Sequence, residues 1–282
     1  MEYGLLGEKL GHSFSPQLHK ALAGYDYRLL PTPPEAVEEL LRRREFKGLN
    51  VTIPYKQTVI PLCDEIDPRA AAIGAVNTVV NRGGRLTGYN TDMDGLIYLA
   101  RRAGVDMAGK KVVILGSGGT SRTARAAAEA LGAARVAVVS RRGEDNYENL
   151  SRHADAKVLI NTTPVGMYPN CGVCPVPLDS FPGLEGVLDV VYNPLRTALL
   201  LEAEARGIPC SCGLPMLAAQ ARRAAELFTG GSIPDSRLEE VLTDLTGQME
   251  NVVLIGMPGC GKSTLGRRLA RRLGKECLDL DR

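Results

Sequence analysis

Three short stretches of this chain carry residue types at spacings suited to binding phosphate. The first is Gly116-Ser117-Gly118-Gly119-Thr120. It follows an apolar run, Val112 to Leu115, and precedes an Ala/Arg-rich segment that reaches Leu131 without Pro or Gly. Strand, glycine turn and helix in that order form the context in which such glycines hold a dinucleotide. They permit a tight turn, let backbone approach a pyrophosphate and place its charge on a helix N-terminus. Ser121 stands where the common fingerprint has Gly or Ala, so the turn alone leaves an ordinary βα connection open. The second stretch is Ser140-Arg141-Arg142, after a β-branched run from Arg135 to Val139. A site for NAD usually has a carboxylate there. Guanidinium groups suit a 2′-phosphate by charge and forked geometry, which favours NADP, with Glu144 and Asp145 just downstream as the opposing feature. The third stretch is G-x-x-x-x-G-K-S from Gly256 to Ser263, with Gly259, Gly261, Lys262, Ser263 and Thr264 as its phosphate-cradling residues.

The first ninety residues offer chemistry of another kind. Ser13 and Ser15 stand two apart before Pro16, a favoured first-turn residue. They present hydroxyls and helix N–H groups to an anion, or one of them merely caps the helix. Lys56 follows a strand that Pro54 stops, at the kind of strand end where α/β proteins keep their chemistry. Taken singly it is an ordinary surface charge. Asp92 opens a helix over 93–103, where its plain role is an N-cap. Cys171/Cys174 and Cys210/Cys212 could in principle supply four sulfurs to zinc, but neither pair has the turn of a zinc ribbon around it. His12, His19 and His153 have no metal spacing, so no metal site is expected.

The motifs become specific as an ordered set. Ser-x-Ser-Pro, Asn50-Val-Thr52-x-Pro-x-Lys56, Gly74-Ala-Val-Asn77-Thr and Gly88-Tyr-Asn-Thr-Asp92 precede the glycine turn. Asn161-Thr162-Thr-Pro-Val-Gly-Met, Asp189-Val190-Val-Tyr192-Asn-Pro and Gly213-Leu-Pro-Met-Leu-Ala-Ala-Gln220 follow it. Together these eight motifs resemble the shikimate dehydrogenase family across roughly residues 1 to 245.

The resemblance implies reversible, NADPH-dependent reduction of 3-dehydroshikimate to shikimate. Reducing a ketone places negative charge on oxygen, so a proton donor or cation must stand near it. Lys56 is that candidate, an acid at neutral pH. Asp92 matches the family's paired carboxylate and would hold the ammonium in place and charged. Also by resemblance, Ser13, Ser15 and Tyr192 hold the substrate carboxylate, and Thr52, Asn77, Asp92 and Gln220 address its ring hydroxyls. Gly116 to Thr120, Ser140, Arg141, Arg142, Thr162, Val190 and Gly213 line NADP(H). The family usually has Asn-Arg-Thr where this chain has Ser140-Arg141-Arg142, which makes Arg141 the firmest carry-over of the three.

The elements that must position these groups form an α/β chain. Residues 1–92 and 213–247 are expected to make a substrate-binding domain, and 93–212 a Rossmann-type NADP domain. Residues 248–282 are expected to make a short P-loop strand-loop-helix fragment. Leu278-Asp279-Leu280-Asp281 after the P-loop resembles the Asp-x-Asp of shikimate kinases. An intact kinase would hold Mg²⁺ through Ser263 and Asp279, with ATP as its nucleotide. The tail is expected to be a piece of a longer bifunctional protein, too short to phosphorylate shikimate, because such a domain needs several strands to bury one sheet.

Composition narrows the partners. Net charge is +2, which gives no bulk affinity for nucleic acid. At 44% hydrophobic and 23% charged, the chain has the balance of a soluble protein with real cores. No apolar run approaches a membrane span, and the start of the chain has no secretory pattern. Seven cysteines, an odd number, fit reduced thiols, so a cytoplasmic protein is expected, as a monomer or homodimer whose choice the sequence leaves open. Two other functions remain open. One is a quinate/shikimate dehydrogenase using NAD. The other is a nucleotide-binding module whose N-terminal part has no catalytic role.

Overall fold

The structure, a computed structural model, describes residues 2–11 and 13–279. The chain divides into two compact units, Met1–Asp244 and Leu245–Arg282.

The first unit contains two sheets. One is built from β1 (Tyr3–Gly7), β2 (Tyr27–Pro31), β3 (Gly48–Val51), β4 (Glu65–Ile66), β5 (Thr78–Arg82) and β6 (Arg85–Tyr89), in the order β2-β1-β3-β5-β6-β4. Helices α1 (Ser15–Ala23) and α2 (Pro34–Arg43) are the crossovers that make β1 parallel to β2 and to β3. The short α3 (Pro68–Ile73) follows β4. β5 and β6 form a hairpin, antiparallel through Gly83 and Gly84, whose φ values of 60° and 88° suit a two-residue turn.

That hairpin corrects one expectation. The segment from Gly74 to Val79 reads in sequence as a strand ending in small polar residues. In the structure Asn77 and Thr78 stand at the beginning of the strand, not at its end. The register pairs Thr78 with Tyr89, so antiparallel pairing brings Asn77 beside Asn90 and Thr91.

Helix α4 (Thr91–Arg102) leaves the first sheet and leads to β7 (Lys111–Leu115). Then come α5 (Gly119–Ala130), β8 (Arg135–Val139), β9 (Val158–Asn161), β10 (Gly186–Asp189), α6 (Ala198–Ala205) and β11 (Cys210–Ser211). The five strands are parallel in the order β11-β10-β9-β7-β8. Val112, Val113, Ile114 and Leu115 are each fully buried, as a strand covered on both faces must be.

Helix α7 (Leu214–Thr229) returns to the first sheet, where Phe228 lies so close to Gly48 that a Cβ there would meet its ring at 2.2 Å. α4 and α7 lie against each other. A Cβ on Gly95 would come within 2.6 Å of the Met216 carbonyl oxygen, so a glycine allows the two backbones to touch. Leu96, Leu99, Ile114, Ile160, Leu188 and Met216 join these helices and the second sheet in one core. α8 (Asp235–Met249) buries Leu238, Val241 and Leu242.

In the second unit, α9 (Lys262–Leu273) forms as expected after the glycine loop, with positive φ at Gly259 and Gly261. The expected strand before it does not form: residues 251–257 carry no strand structure. Val253 and Ile255 are exposed instead. A strand exists only when a neighbour satisfies its backbone, and none pairs with this segment among the described residues. Asp281, the second carboxylate of the Asp-x-Asp expectation, and His12 lie outside the described residues.

Candidate active site

Lys56 and Asp92 meet although 36 positions separate them in sequence: Nζ donates to Oδ2 at 2.6 Å. Their side chains are 26% and 16% exposed, so the pair is largely sheltered yet still open on one side. The loop that carries Lys56 is pinned on both flanks. Tyr55 is 2% exposed, and its hydroxyl donates to the Thr32 carbonyl at 2.6 Å. The Lys56 carbonyl accepts from Val76 N–H at 2.8 Å. Thr52 begins the same loop with its N–H on the Leu6 carbonyl at 2.9 Å.

By residue type Asp92 is the expected cap of its helix, and here the structure differs. Asn90 is the N-cap: its backbone is extended, and its side chain accepts from Met93 N–H at 3.2 Å. Asp92 therefore sits inside the first turn, where a carboxylate is favoured by the helix dipole and its side chain is free to reach Lys56.

A buried polar network lies beside the pair. Asn77, 3% exposed, accepts from Thr91 N–H at 2.7 Å and donates to Thr91 Oγ1 at 3.1 Å. Thr91 Oγ1 also lies 3.1 Å from Thr78 Oγ1 and 3.5 Å from Gln220 Oε1. Asn50 Nδ2 donates to Thr78 Oγ1 at 3.0 Å, and Tyr27 donates to Asn50 Oδ1 at 2.7 Å. The chain of bonds thus brings together Asn77 and Gln220, expected on the substrate. It also shows three residues that sequence reasoning passes over, Asn50, Thr78 and Thr91, with Asn90 beside them as the helix cap. Their signal is a density of Asn and Thr at strand ends, but which of them touch is a tertiary fact.

Ser13 and Ser15 also meet. Ser13 Oγ donates to Ser15 Oγ at 3.1 Å and accepts from Ser15 N–H at 3.2 Å. Phe14 between them packs edge-on against Tyr192, with ring centroids 6.1 Å apart. Tyr192 follows β10 of the second sheet, so the two sheets contribute to one corner. Burial pushes the Tyr192 phenol up from its usual range, which keeps it an O–H donor at neutral pH.

The glycine turn is open on one side and packed on the other. Gly116 has φ 100°, and a Cβ there would meet Thr163 Cγ2 at 2.9 Å and Thr162 Oγ1 at 3.0 Å. Thr162 is fixed in turn by donating from Oγ1 to the Leu115 carbonyl at 2.6 Å. Gly118 and Gly119 face open space, and no side chain caps α5. Ser117 is exposed and Thr120 half-buried at the same turn. Bare N–H groups at a helix start, flanked by glycines without neighbours, fit a pyrophosphate. At Gly213, just before α7, a Cβ would lie 2.0 Å from the Val190 carbonyl oxygen, so only glycine fits. Val190 N–H donates to the Asn161 carbonyl at 3.0 Å, and Asp189 before it is fully buried. Asp189 accepts from Val191 N–H, Asn161 Nδ2 and Thr197 Oγ1 at 3.0, 2.9 and 2.7 Å. Burial raises the Asp189 carboxyl despite those three donors. Sequence reasoning misses this role too, because nothing local marks an Asp as buried.

Arg141 and Arg142 are exposed at the end of β8, with Ser140 half-buried before them. Glu144 and Asp145, the residues that argue against a phosphate there, face Arg152 and His153. Arg152 Nη1 lies 3.2 Å from Asp145 Oδ1 and Nη2 3.6 Å from Glu144 Oε1, while His153 Nε2 stands 3.0 Å from Asp145 Oδ1. Neither cysteine pair is bridged. Among the described residues no group of three or more His, Cys, Asp or Glu side chains could hold a metal ion.

Residues 5–79 match the family model described as the shikimate dehydrogenase substrate binding domain. The chain is 37% identical over 275 residues to the shikimate dehydrogenase (NADP(+)) of Moorella thermoacetica, covering 86% of this chain and 92% of that one. Among solved structures it resembles a chorismate mutase/shikimate 5-dehydrogenase fusion protein from Clostridium acetobutylicum. There the TM-score is 0.84 at 34% identity, covering 88% of this chain and 98% of that one. It also resembles the shikimate 5-dehydrogenase of Thermus thermophilus, solved in complex with NADP(H) and shikimate. That match has a TM-score of 0.77 at 34% identity and covers 86% and 98% of the two chains.

Proposed function

This chain belongs to the shikimate dehydrogenase family, and on that premise we propose that it reduces 3-dehydroshikimate reversibly to shikimate with NADP(H), as a cytoplasmic enzyme acting on small molecules. The observation that carries this reading is the Lys56–Asp92 pair at 2.6 Å, sheltered beside a fixed set of Asn, Thr and Gln groups.

The residues divide the work. Ser13, Ser15 and Tyr192 take the substrate carboxylate, through two hydroxyls already aligned and a phenol that remains protonated. Thr52, Asn77 and Gln220 take ring hydroxyls, and Asp92 shares one of them while it orients Lys56. The Lys56 ammonium stands where the ketone oxygen gains negative charge and can stabilise or protonate it. The bound cofactor supplies the hydride. Gly116 to Thr120, Thr162, Val190 and Gly213 would hold its pyrophosphate and nicotinamide half, and Ser140, Arg141 and Arg142 its 2′-phosphate.

The same reading assigns residues 1–92 and 213–247 to the substrate and 93–212 to the cofactor. The segment 248–282 is a phosphate-binding unit like the start of a shikimate kinase. Its support is the G-x-x-x-x-G-K-S run that opens α9, and Ser263 Oγ standing 3.4 Å from Asp279 Oδ2 where both could serve Mg²⁺.

The deciding experiment is initial rates with shikimate and with quinate, each against NADP⁺ and NAD⁺. Shikimate with NADP⁺ should give the highest kcat/KM. Quinate or NAD⁺ performing equally well would replace this assignment with a broader dehydrogenase.

A further inference from the structure

The loop after β8 holds two carboxylates next to the two arginines that the proposed function gives to a 2′-phosphate. It is folded tightly. Ser140 N–H donates to the Asp145 carbonyl at 3.0 Å, which returns the acidic residues to the place where the arginines begin. A Cβ on Gly143 would come within 2.8 Å of Ser140 Oγ and 2.9 Å of the Asp145 carbonyl oxygen, so the loop has no room to open around a side chain. Left free, Glu144 and Asp145 would set two negative charges against a dianionic phosphate.

They are not left free. The 3-10 turn Leu150–His153 faces them, and Arg152 reaches both carboxylates while His153, 2% exposed, stands behind Asp145. The turn is itself anchored. Lys111 Nζ donates to the Arg152 carbonyl at 3.2 Å, and Asn149 Nδ2 donates to the Glu144 carbonyl at 2.9 Å. The backbone of Arg152 is thus held from β7, and its half-exposed guanidinium lies against the acidic pair.

We infer that Arg152, backed by His153, is a positioning residue for coenzyme choice: it draws the Glu144 and Asp145 carboxylates onto itself and so keeps negative charge off the pocket where Arg141 and Arg142 take a 2′-phosphate. The inference rests on the NADP assignment above. It explains how a loop with an acidic pair, the usual mark of an NAD site, serves a phosphorylated ribose.

The test compares kcat/KM for NADP⁺ and NAD⁺, at saturating shikimate, in the wild type, in Arg152→Gln and in the triple variant Glu144→Gln/Asp145→Asn/Arg152→Gln. Arg152→Gln should lower the NADP⁺/NAD⁺ ratio about fivefold, through KM for NADP⁺ with kcat unchanged, the size expected for two partly screened charges near a phosphate. The triple variant should restore the ratio, because the carboxylates Arg152 serves are gone. An unchanged ratio in Arg152→Gln, or a triple variant that stays low, overturns the inference, the second result because it makes Arg152 a direct phosphate ligand or a purely structural group. Should Arg152→Gln fail to fold, Glu144→Gln/Asp145→Asn with Arg152 intact decides the matter. Its ratio should stay within about twofold of wild type, since charges already paired across a surface contribute little. A large rise would mean they were never masked. A wild type with no preference for NADP⁺ defeats the NADP assignment itself, and the inference with it, whereas a preference that ignores Arg152 defeats the inference alone.

Discussion

The corner that holds Lys56 and the turn that holds Gly116 solve opposite problems. In the first, polar side chains are bonded to one another before any ligand arrives: Lys56 to Asp92, Asn77 to Thr91, Asn50 to Thr78. In the second, the groups that the proposed function gives to the coenzyme are backbone N–H groups at an uncapped helix start and arginines exposed to solvent. The difference follows from what each must bind. A small polyhydroxylated acid is told from its relatives by the placement of hydroxyls, so the acceptors and donors must be stiff. A pyrophosphate is bound chiefly by charge and close approach, so bare backbone serves it better than side chains.

Removing the ammonium breaks the first region most severely. Lys56→Ala should lower kcat by about 10² to 10⁴, the usual size of an acid–base term. KM for shikimate should move far less, since Ser13, Ser15 and Gln220 remain. Steady-state rates at several pH values test this, and near-wild-type turnover would leave Lys56 without its assigned role. Asp92→Asn should cost less than that, because it removes the anchor of the amine and not the amine itself.

How legible these two regions are in the sequence follows from the same contrast. The glycine turn can be read directly, since strand, turn and helix are consecutive residues and Gly116 to Thr120 announce themselves locally. The Lys56–Asp92 pairing cannot. It spans 36 positions and depends on β5 and β6 forming a hairpin, so only the resemblance of ordered motifs points to it. Asp92 and Asn90 are equally good cap residues by type. The extended backbone at Asn90, with φ −122° and ψ 97°, decides between them, and that is set by how β6 ends. β2, β4 and β11 escape a reading by pattern because the first lies at a sheet edge and the others are two residues long. The strand expected before α9 is a pattern without a partner. Asp145 reads as a charge against NADP because its link to Arg152 and His153 is invisible until the 3-10 turn is in place.

The second region should respond more mildly and more selectively. Arg141→Ala should raise KM for NADP⁺ about tenfold and leave KM for NAD⁺ and kcat nearly unchanged, the loss of one charge-assisted contact at an exposed site. A parallel loss with both coenzymes would mean that Arg141 supports the loop and not the phosphate.

The smallest effect at neutral pH should come from His19, which bounds the stiff region from behind. Its ring is 1% exposed, stacks on Tyr27 at 4.1 Å and lies 2.6 Å from the Tyr25 hydroxyl through Nδ1. Burial lowers it to about 3, with the Asn50 hydrogen bond opposing only part of that shift. The native state therefore keeps this imidazole neutral, while the unfolded chain protonates it near pH 6.5. Between those values the unfolded state binds the extra proton, so stability falls as pH falls, by about 1.4 kcal/mol per unit well below 6.5. At pH 7.5 neither state is charged, and His19→Gln, which keeps a polar end for Tyr25 and Asn50, should leave kcat and KM as they were. Urea midpoints from pH 7 down to pH 4 should then show a shallower acid slope in the variant than in the wild type. Equal slopes would place the acid sensitivity in other groups and remove His19 as the element that ties the substrate corner to a neutral, buried base.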